Sequence, residues 1–245
     1  MKPISGMTFD AGGTLFSPVE PVGETYARLA RAAGIDVRAG ALEIGFELAT
    51  TAAPPLVAPL GSADPDRLRV ERGWWYDVVR ATLTHALADS TEPVAPDVFE
   101  EFFAAAFAHY AHADAWQLHD DVADCFRGLA HLSLPIGLLS NFDSRLHEVV
   151  AGLGLALRPV LASTEIGHAK PAREAFDAAA RGLGREPSSC LHVGDSLSAD
   201  ALGAAGAGWT GIWLDRSGHG ESAPPGIRRI ESLRELPAIL AELVG

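Results

Sequence analysis

The stretch Met7-Thr-Phe-Asp-Ala-Gly-Gly-Thr-Leu-Phe16 places a carboxylate where a short apolar strand ends. Residues 4–9 predict the strand, and Gly12 and Gly13 predict a tight turn directly after Asp10. In such a turn, backbone N–H groups can gather around the Asp10 carboxylate. A carboxylate framed in this way can ligate a hard cation or attack an electrophile as a nucleophile.

Three further polar segments follow in the order Leu138-Leu-Ser-Asn141, Gly167-His-Ala-Lys-Pro171 and His192-Val-Gly-Asp-Ser-Leu-Ser-Ala-Asp200. Together with the first segment they resemble the four motifs of the haloacid dehalogenase superfamily of hydrolases. The resemblance covers nearly the whole chain, and the spacing fits the branch with a helical cap between the first two motifs. Trp74-Trp75 before Val78-Val79, and Ser140 to Leu146, resemble the subgroup named for haloacid dehalogenase-like hydrolase domain-containing protein 3.

The hydrophobic pattern predicts an α/β fold with an inserted helical part. No strand pattern appears from 17 to 115. Helical spacing recurs there in four segments: Pro21–Gly34, Ala39–Ala53, Asp66–Leu87 and Pro96–His109. From Asp120 onward, short apolar strands alternate with helices, which implies right-handed crossovers and a parallel sheet. The strands include Val160–Ala162 and Thr210–Leu214, and the helices include Leu197–Ala207 and Glu231–Leu243. We therefore predict a doubly wound parallel sheet built from 1–16 and 116–245, the core expected from the resemblance, and a helical cap domain from 17–115.

Composition limits the classes of partner. The chain has 245 residues and a formal net charge of −13, which argues against nucleic acids and anionic membrane surfaces as partners. No apolar run approaches the roughly 20 residues that span a bilayer, and the N-terminus lacks the pattern of a signal peptide. Cys125 and Cys190 show no metal-ligand spacing. We therefore expect a cytoplasmic monomer or homodimer without a disulfide.

Polar residues follow three of the predicted strands. Asp10, Ser140 and Asp195 lie at strand ends, and Asp200 lies about one helical turn after Asp195. Because the carboxyl ends of parallel strands share one edge of a sheet, these side chains should converge on one pocket. Three neighbouring carboxylates would repel one another unless a cation lay between them, and oxygen-rich sites of this kind suit Mg²⁺.

The resemblance implies a role for each carboxylate. Asp10 and Asp195 would ligate Mg²⁺ through their carboxylates, and Gly12 would do so through its carbonyl oxygen. Asp200 would orient water molecules or Lys170, although it could also cap the helix that begins near Leu197.

A second set of residues suits a phosphoryl group. The Ser140 hydroxyl and the Lys170 ammonium can stabilise charge on its non-bridging oxygens, so Asp10, Ser140 and Lys170 are the predicted catalytic residues. Lys170 is one of only two lysines among 19 basic side chains. Gly13 and Thr14 should build the nucleophile loop, with Gly13 against the phosphate. The Asn141 amide could contact substrate or fix its own loop.

Gly12 is the departure from the family pattern that matters for chemistry. Phosphatases of the superfamily usually carry a second Asp at this position, which protonates the leaving group and then activates water. Such a group contributes about 10²–10⁴-fold to the rate. The resemblance therefore implies a magnesium-dependent phosphatase of a small metabolite that lacks its usual general acid.

Other functions stay open on the sequence. The same Asp10 would serve a metal-free 2-haloacid dehalogenase, but those enzymes replace the Gly-Asp of the last motif, and Asp195 is present here. A phosphonate-cleaving enzyme would need a cap lysine, and 17–115 contains none. A weakly active or inactive protein that binds phosphate and metal is a further alternative.

Overall fold

The computed structural model describes residues 3–88, 93–218 and 222–244. Eight strands lie in these ranges: β1 (Gly6–Phe9), β2 (Phe16–Pro18), β3 (Trp116–Leu118), β4 (Ile136–Ser140), β5 (Val160–Ala162), β6 (Cys190–Gly194), β7 (Thr210–Leu214) and β8 (Arg228–Ile230).

The same ranges contain ten α-helices: α1 (Val22–Ala32), α2 (Ala39–Ala52), α3 (Asp64–Ala86), α4 (Pro96–His109), α5 (Val122–Leu129), α6 (Leu146–Gly152), α7 (Ser163–Ile166), α8 (Arg173–Leu183), α9 (Gly203–Gly206) and α10 (Leu236–Leu243). No helix in the described ranges is long and apolar enough to cross a membrane.

Six strands form one parallel sheet in the order β5-β4-β1-β6-β7-β8. Neighbouring residues of a strand face opposite sides of the sheet. Leu138 packs in the apolar cluster that includes residues of α5, α6 and α10, whereas Leu139 packs with residues of α8 and α9. Helices therefore cover both faces of the sheet, which confirms the predicted doubly wound α/β fold.

Helices α1 to α4 lie between β2 and β3 in the chain and share an apolar cluster of their own. Aromatic rings dominate it: the Tyr26 ring meets Phe102 edge to face, with centroids 5.6 Å apart. The helices begin and end close to their predicted bounds. The largest difference at a start is α3, which begins at Asp64 because Pro65 fits the first turn of a helix.

A two-stranded ribbon was not predicted. The sequence shows no strand pattern from 17 to 115, but β2 includes Ser17 and Pro18 and pairs antiparallel with β3. A strand of three residues is too short to reveal a period of two. The ribbon brings the two ends of the helical insert side by side, with Ser17 opposite Gln117. The division into a core (1–16, 116–245) and a cap (17–115) stays a prediction.

The helix predicted from Leu197 to Ala207 is not one α-helix. Leu197–Leu202 is a π-helical segment, and α9 begins only at Gly203. The Ser196 hydroxyl caps this segment by accepting a hydrogen bond from the Ala199 N–H at 3.1 Å. Wider helical turns of this kind often occur at functional sites, and this one carries Asp200.

Two differences concern the rest of the core. β8 was not predicted, and the closing helix predicted from Glu231 begins as α10 at Leu236, after a 3₁₀ turn at Leu233–Glu235. Cys125 and Cys190 are buried free thiols, and burial raises the pKa of Cys125 to about 12.

Candidate active site

The central strands bring the predicted carboxylates together. Asp10 follows β1 and Asp195 follows β6, and these strands pair with Phe9 opposite Val193. Carboxylate oxygens of Asp10, Asp195 and Asp200 all lie within 4.8 Å of one another. Ser140, the last residue of β4, lies at the same edge of the sheet and is buried.

Lys170 lies between two of the three carboxylates. Its Nζ is 2.6 Å from Asp10 Oδ1 and 2.6 Å from Asp200 Oδ1, and the residue is only 4% exposed. Burial alone would lower the pKa of Lys170, but Asp10 and Asp200 outweigh it and raise that pKa. The ammonium therefore stays charged and contributes to the lowered pKa of Asp200.

Of the three carboxylates in the cluster, Asp195 has no cationic side chain in direct contact among the described residues, and it is accessible to solvent. Partial desolvation, with the charges of Asp10 and Asp200, raises the pKa of Asp195 to about 6. Three carboxylates and one ammonium carry two uncompensated negative charges. A divalent cation has the matching charge, and this oxygen donor set fits Mg²⁺.

The nucleophile loop closes over Asp195. The Thr14 hydroxyl accepts from the Asp195 N–H at 3.1 Å and lies 3.2 Å from Asp195 Oδ1 and 3.5 Å from Asp10 Oδ2. Gly13 has a φ of +79°, and a Cβ there would collide with the Asp195 carboxylate. Thr14 and Gly13 therefore hold the carboxyl ends of β1 and β6 together, which fixes the two ends relative to each other.

Asn141 holds the loop that carries Lys170. Its Nδ2 donates to the Lys170 carbonyl at 2.8 Å, and its Oδ1 accepts from the Lys170 N–H at 2.7 Å. This reciprocal pair fixes the backbone from which the lysine side chain extends. One of the two Nδ2 hydrogens remains available on the exposed side of Asn141.

No sequence pattern assigned a role to His192, but the structure connects it to the site. His192 is fully buried; its Nε2 is 3.1 Å from Asp200 Oδ1, and its Nδ1 is 2.8 Å from the Thr8 hydroxyl. Burial and the Lys170 charge lower the pKa of His192. A neutral ring must donate from Nε2 to the acceptor Asp200 and accept from Thr8 at Nδ1.

The carboxylate that receives this bond is Asp200. Burial alone would raise its pKa, but Lys170 and His192 lower it, so Asp200 stays ionised. Its Oδ2 also accepts from the Ser196 N–H at 2.9 Å. Asp200 therefore contacts Lys170 directly, and its role in orienting Lys170 stays a prediction. The sequence signal that could have revealed His192 was its place in the last motif, two residues before Gly194.

Arg216 is a second residue without a role in the sequence analysis. It donates from Nε to the Gly13 carbonyl at 3.1 Å and from Nη2 to the Thr14 carbonyl at 2.6 Å. The same guanidinium forms a bidentate pair with Asp121, which is 1% exposed. Arg216 thus fixes the backbone of the nucleophile loop. Its place just after β7, at the carboxyl edge of the sheet, was the available signal.

An apolar cavity of about 280 Å³ adjoins the nucleophile loop. Gly12 and Gly13 form part of its wall, and most of the remainder comes from residues of the helical insert, six of them aromatic. Trp75 packs against the apolar cluster of the helical insert and also lines this cavity. Gly12 has no left-handed φ, and a Cβ at this position would meet no atom within 4 Å. Position 12 therefore faces the cavity and has room for a side chain.

Comparison with known proteins agrees with this geometry. The sequence model of the haloacid dehalogenase-like hydrolases matches residues 4–208. The human haloacid dehalogenase-like hydrolase domain-containing protein 3 is 34% identical over 204 residues, which cover 82% of this chain and 78% of the human protein. The chain therefore belongs to the haloacid dehalogenase-like hydrolases.

Solved structures share the fold across almost the whole chain. An L-2-haloacid dehalogenase superposes with a TM-score of 0.68 at 22% identity, covering 98% of this chain and 100% of the other. A phosphatase of the same superfamily from Thermococcus onnurineus superposes with a TM-score of 0.63, also at 22% identity, covering 97% and 98%. Enzymes of both kinds thus have this architecture, so the reaction must be argued from the site.

Proposed function

We propose that this hydrolase is a magnesium-dependent phosphatase that acts on a small phosphorylated metabolite through an aspartyl-phosphate at Asp10. The observation that carries the proposal is the cluster of Asp10, Asp195 and Asp200 around Lys170, with two uncompensated negative charges. This charge suits a divalent cation, and the cation in turn suits a phosphate monoester dianion.

The proposed reaction has two steps. In the first step an Asp10 oxygen attacks phosphorus, the bond from phosphorus to the ester oxygen breaks, and that oxygen leaves with the bonding electron pair. Ser140 and Lys170 stabilise the non-bridging oxygens, with the remaining Nδ2 hydrogen of Asn141 as a further donor. The Gly13 N–H donates to the Phe16 carbonyl at 2.9 Å, so Gly13 gives the phosphoryl group a close approach to the loop rather than a donor. In the second step water hydrolyses the acyl phosphate, which releases inorganic phosphate and restores Asp10.

The proposed metal site uses Asp10, Asp195 and the Gly12 carbonyl. Bound Mg²⁺ would supply charge neutralisation at the transferring phosphoryl group. Asp200, held by His192 and Ser196, keeps Lys170 in place beside Asp10. Thr14 bridges the backbone of Asp195 to the loop of Asp10.

A 2-haloacid dehalogenase is the second candidate, and Gly12 favours it because that chemistry needs no acid at this position. There Asp10 would attack the carbon bearing the halogen, halide would leave, and water would hydrolyse the ester. The substrate is itself a carboxylate. Without a cation, the net charge of the cluster that contains Asp10 would repel this carboxylate, which supports the phosphatase.

The test is a panel of acyl, aryl and alkyl phosphates, assayed with Mg²⁺ and with EDTA, beside halide release from 2-chloropropionate. We expect phosphate release that requires Mg²⁺ and no halide release. Asp195→Asn should abolish Mg²⁺ binding in calorimetry and Mg²⁺-dependent turnover, whereas Asp66→Asn, an exposed change on α3, should leave both unchanged.

Two outcomes would overturn the proposal. Halide release that persists in EDTA would identify the dehalogenase. Magnesium and phosphate binding without turnover of any ester would identify a binding protein. Equal Mg²⁺ affinity for Asp195→Asn and wild type would show that the metal assignment is wrong.

A further inference from the structure

The cavity beside Gly12 adjoins the place where the organic part of a substrate must lie. Gly12 and Gly13 belong both to its wall and to the loop that carries Asp10. A phosphoryl group against Asp10 and Gly13 would project its ester substituent past Gly12, and Gly12 opens into this cavity. Of the described cavities, this one includes residues of the nucleophile loop.

The wall of the cavity is aromatic and apolar. Its rings come from the helical insert, from β3 and from the segment after β4, and they include Tyr26, Phe46, Trp75, Phe107, Trp116 and Phe142. Several rings already meet in edge-to-face or tilted contacts, such as Trp116 and Phe142 with centroids 5.8 Å apart. Rings arranged in this way offer both faces and edges to a further ring.

One charged residue, Arg145, occurs among the described residues that line the cavity, and its charge is already compensated. Arg145 donates to both oxygens of the fully buried Asp143, at 2.9 and 2.6 Å, and to the Phe107 carbonyl at 2.8 Å. Its guanidinium also lies over the Phe107 ring, 4.0 Å from the centroid. The indole N–H of Trp75 donates to the same Asp143 at 2.5 Å. The polar groups of Asp143, Arg145 and Trp75 are therefore largely satisfied within the protein.

A charged substituent would lose its hydration in this cavity and gain no free counter-charge, which is costly. An apolar substituent gains about 25 cal/mol for each Å² that it buries. The volume is near the low end of small-molecule sites, about 300–1,000 Å³, which suits one substituted ring.

We infer that the organic part of the substrate is uncharged and largely apolar, with an aryl group as the best-fitting class. This inference rests on the proposed phosphatase function, because it identifies the ester substituent of that reaction. It also agrees with Gly12, since an aryl oxide is a weaker base than an alkoxide and needs less protonation to leave.

Substrates matched in leaving-group basicity provide the test. In wild type, kcat/KM should rise about fourfold for each methylene along 4-methyl-, 4-ethyl- and 4-propylphenyl phosphate. In 4-(2-carboxyethyl)phenyl phosphate a carboxylate replaces the terminal methyl group of the propyl chain, and its kcat/KM should fall below that of the propyl compound by at least about tenfold. Equal values for the propyl and carboxyethyl esters would overturn the inference, and this comparison needs no variant.

A matched pair of variants on α2 locates the effect. Phe46→Lys places a cation in the cavity wall and should reverse the preference in favour of the carboxyethyl ester. Ile44→Lys makes a comparable charge change two residues away on an exposed face, and should keep the wild-type preference. Thermal unfolding of both variants checks that they fold. If the two variants show the same preference between the propyl and carboxyethyl esters, the substituent lies outside the cavity.

Binding of 4-propylphenol, followed by calorimetry, separates this inference from the phosphatase proposal. Binding that Phe46→Lys abolishes, together with no hydrolysis of any phosphate, would retain the apolar site and reject the phosphatase. Hydrolysis of phosphates with no preference for apolar substituents, and no binding of the phenol, would retain the phosphatase and reject this inference.

Discussion

Two adjacent glycines of the nucleophile loop occur for different physical reasons. Gly13 has a left-handed φ of +79° and lies against the Asp195 carboxylate, so only glycine fits there. Gly12 has an ordinary φ and open space where a Cβ would lie. The backbone therefore does not impose glycine at position 12.

Gly12→Asp should therefore be accommodated and should supply the missing general acid. We expect kcat for alkyl phosphates to rise at least about tenfold, toward the 10²–10⁴-fold that such a group typically contributes. Aryl phosphates should gain much less, because their leaving oxygens are weaker bases. The measurement is a plot of log kcat against leaving-group pKa, which should be steep for wild type and flatter for the variant.

Gly12→Asn is the matched control, since it has a similar shape and cannot exchange a proton in the same way. Mg²⁺ affinity measured on both variants separates altered metal geometry from altered acid–base chemistry. If wild type hydrolyses alkyl and aryl phosphates at equal rates, another group protonates the leaving oxygen and the interpretation of Gly12 is wrong.

At the scale of elements, one buried carboxylate joins the helical insert to the sheet. Glu71 of α3 is 1% exposed and accepts from the Ser144 hydroxyl at 2.6 Å, the Ser144 N–H at 3.1 Å and the Thr164 hydroxyl at 2.6 Å. Ser144 follows β4 and Thr164 lies in α7. Three donors on the core thus depend on one side chain of the insert.

Glu71→Ala should destabilise the protein by about 3 kcal/mol, since it leaves buried donors without an acceptor at about 1–3 kcal/mol each. Urea denaturation followed by circular dichroism measures this free energy of unfolding. Asp66→Ala on the same helix removes only an exposed ion pair with Arg69 and should cost no more than about 1 kcal/mol. Similar losses for the two variants would contradict this account of Glu71.

At the scale of the whole molecule, Asp121 connects segments that are distant in the chain. It accepts from Arg216, from the Ser232 hydroxyl at 3.0 Å and from the Leu233 N–H at 2.8 Å. Arg216 in turn donates to the carbonyls of Gly13 and Thr14. The geometry of the nucleophile loop therefore depends on the carboxyl-terminal part of the fold.

This cluster should produce a measurable dependence of stability on pH. Burial alone would raise the pKa of Asp121, but Arg216 and the Leu233 N–H outweigh it and lower that pKa. A lowered pKa in the folded state means that the stabilisation is complete above the unfolded pKa of about 3.9 and is lost as the pH falls below it. Wild type should thus be more stable than Asp121→Asn at pH 7, and the difference should shrink below about pH 4. Urea denaturation from pH 7 to pH 3 measures it, and a difference independent of pH would contradict the assignment.

The sequence by itself determined the parallel sheet, the positions of its central strands and the convergence of Asp10, Asp195 and Asp200. These features follow from local patterns, because an apolar strand that ends in a polar residue places that residue at a known edge of the sheet. The order of the motifs then identified the class of hydrolase. Val160–Ala162 and Thr210–Leu214, for example, begin and end where the pattern predicts.

Only the tertiary structure decided which side chains support that site. The β2–β3 ribbon, the Arg216 contacts with the nucleophile loop and the His192 contact with Asp200 each join residues that no local pattern connects. The same holds for the cavity, whose aromatic wall comes from separate helices, and for the open space at Gly12. Such contacts depend on how helices and loops pack across tens to hundreds of residues, and short-range periodicity carries no information about them.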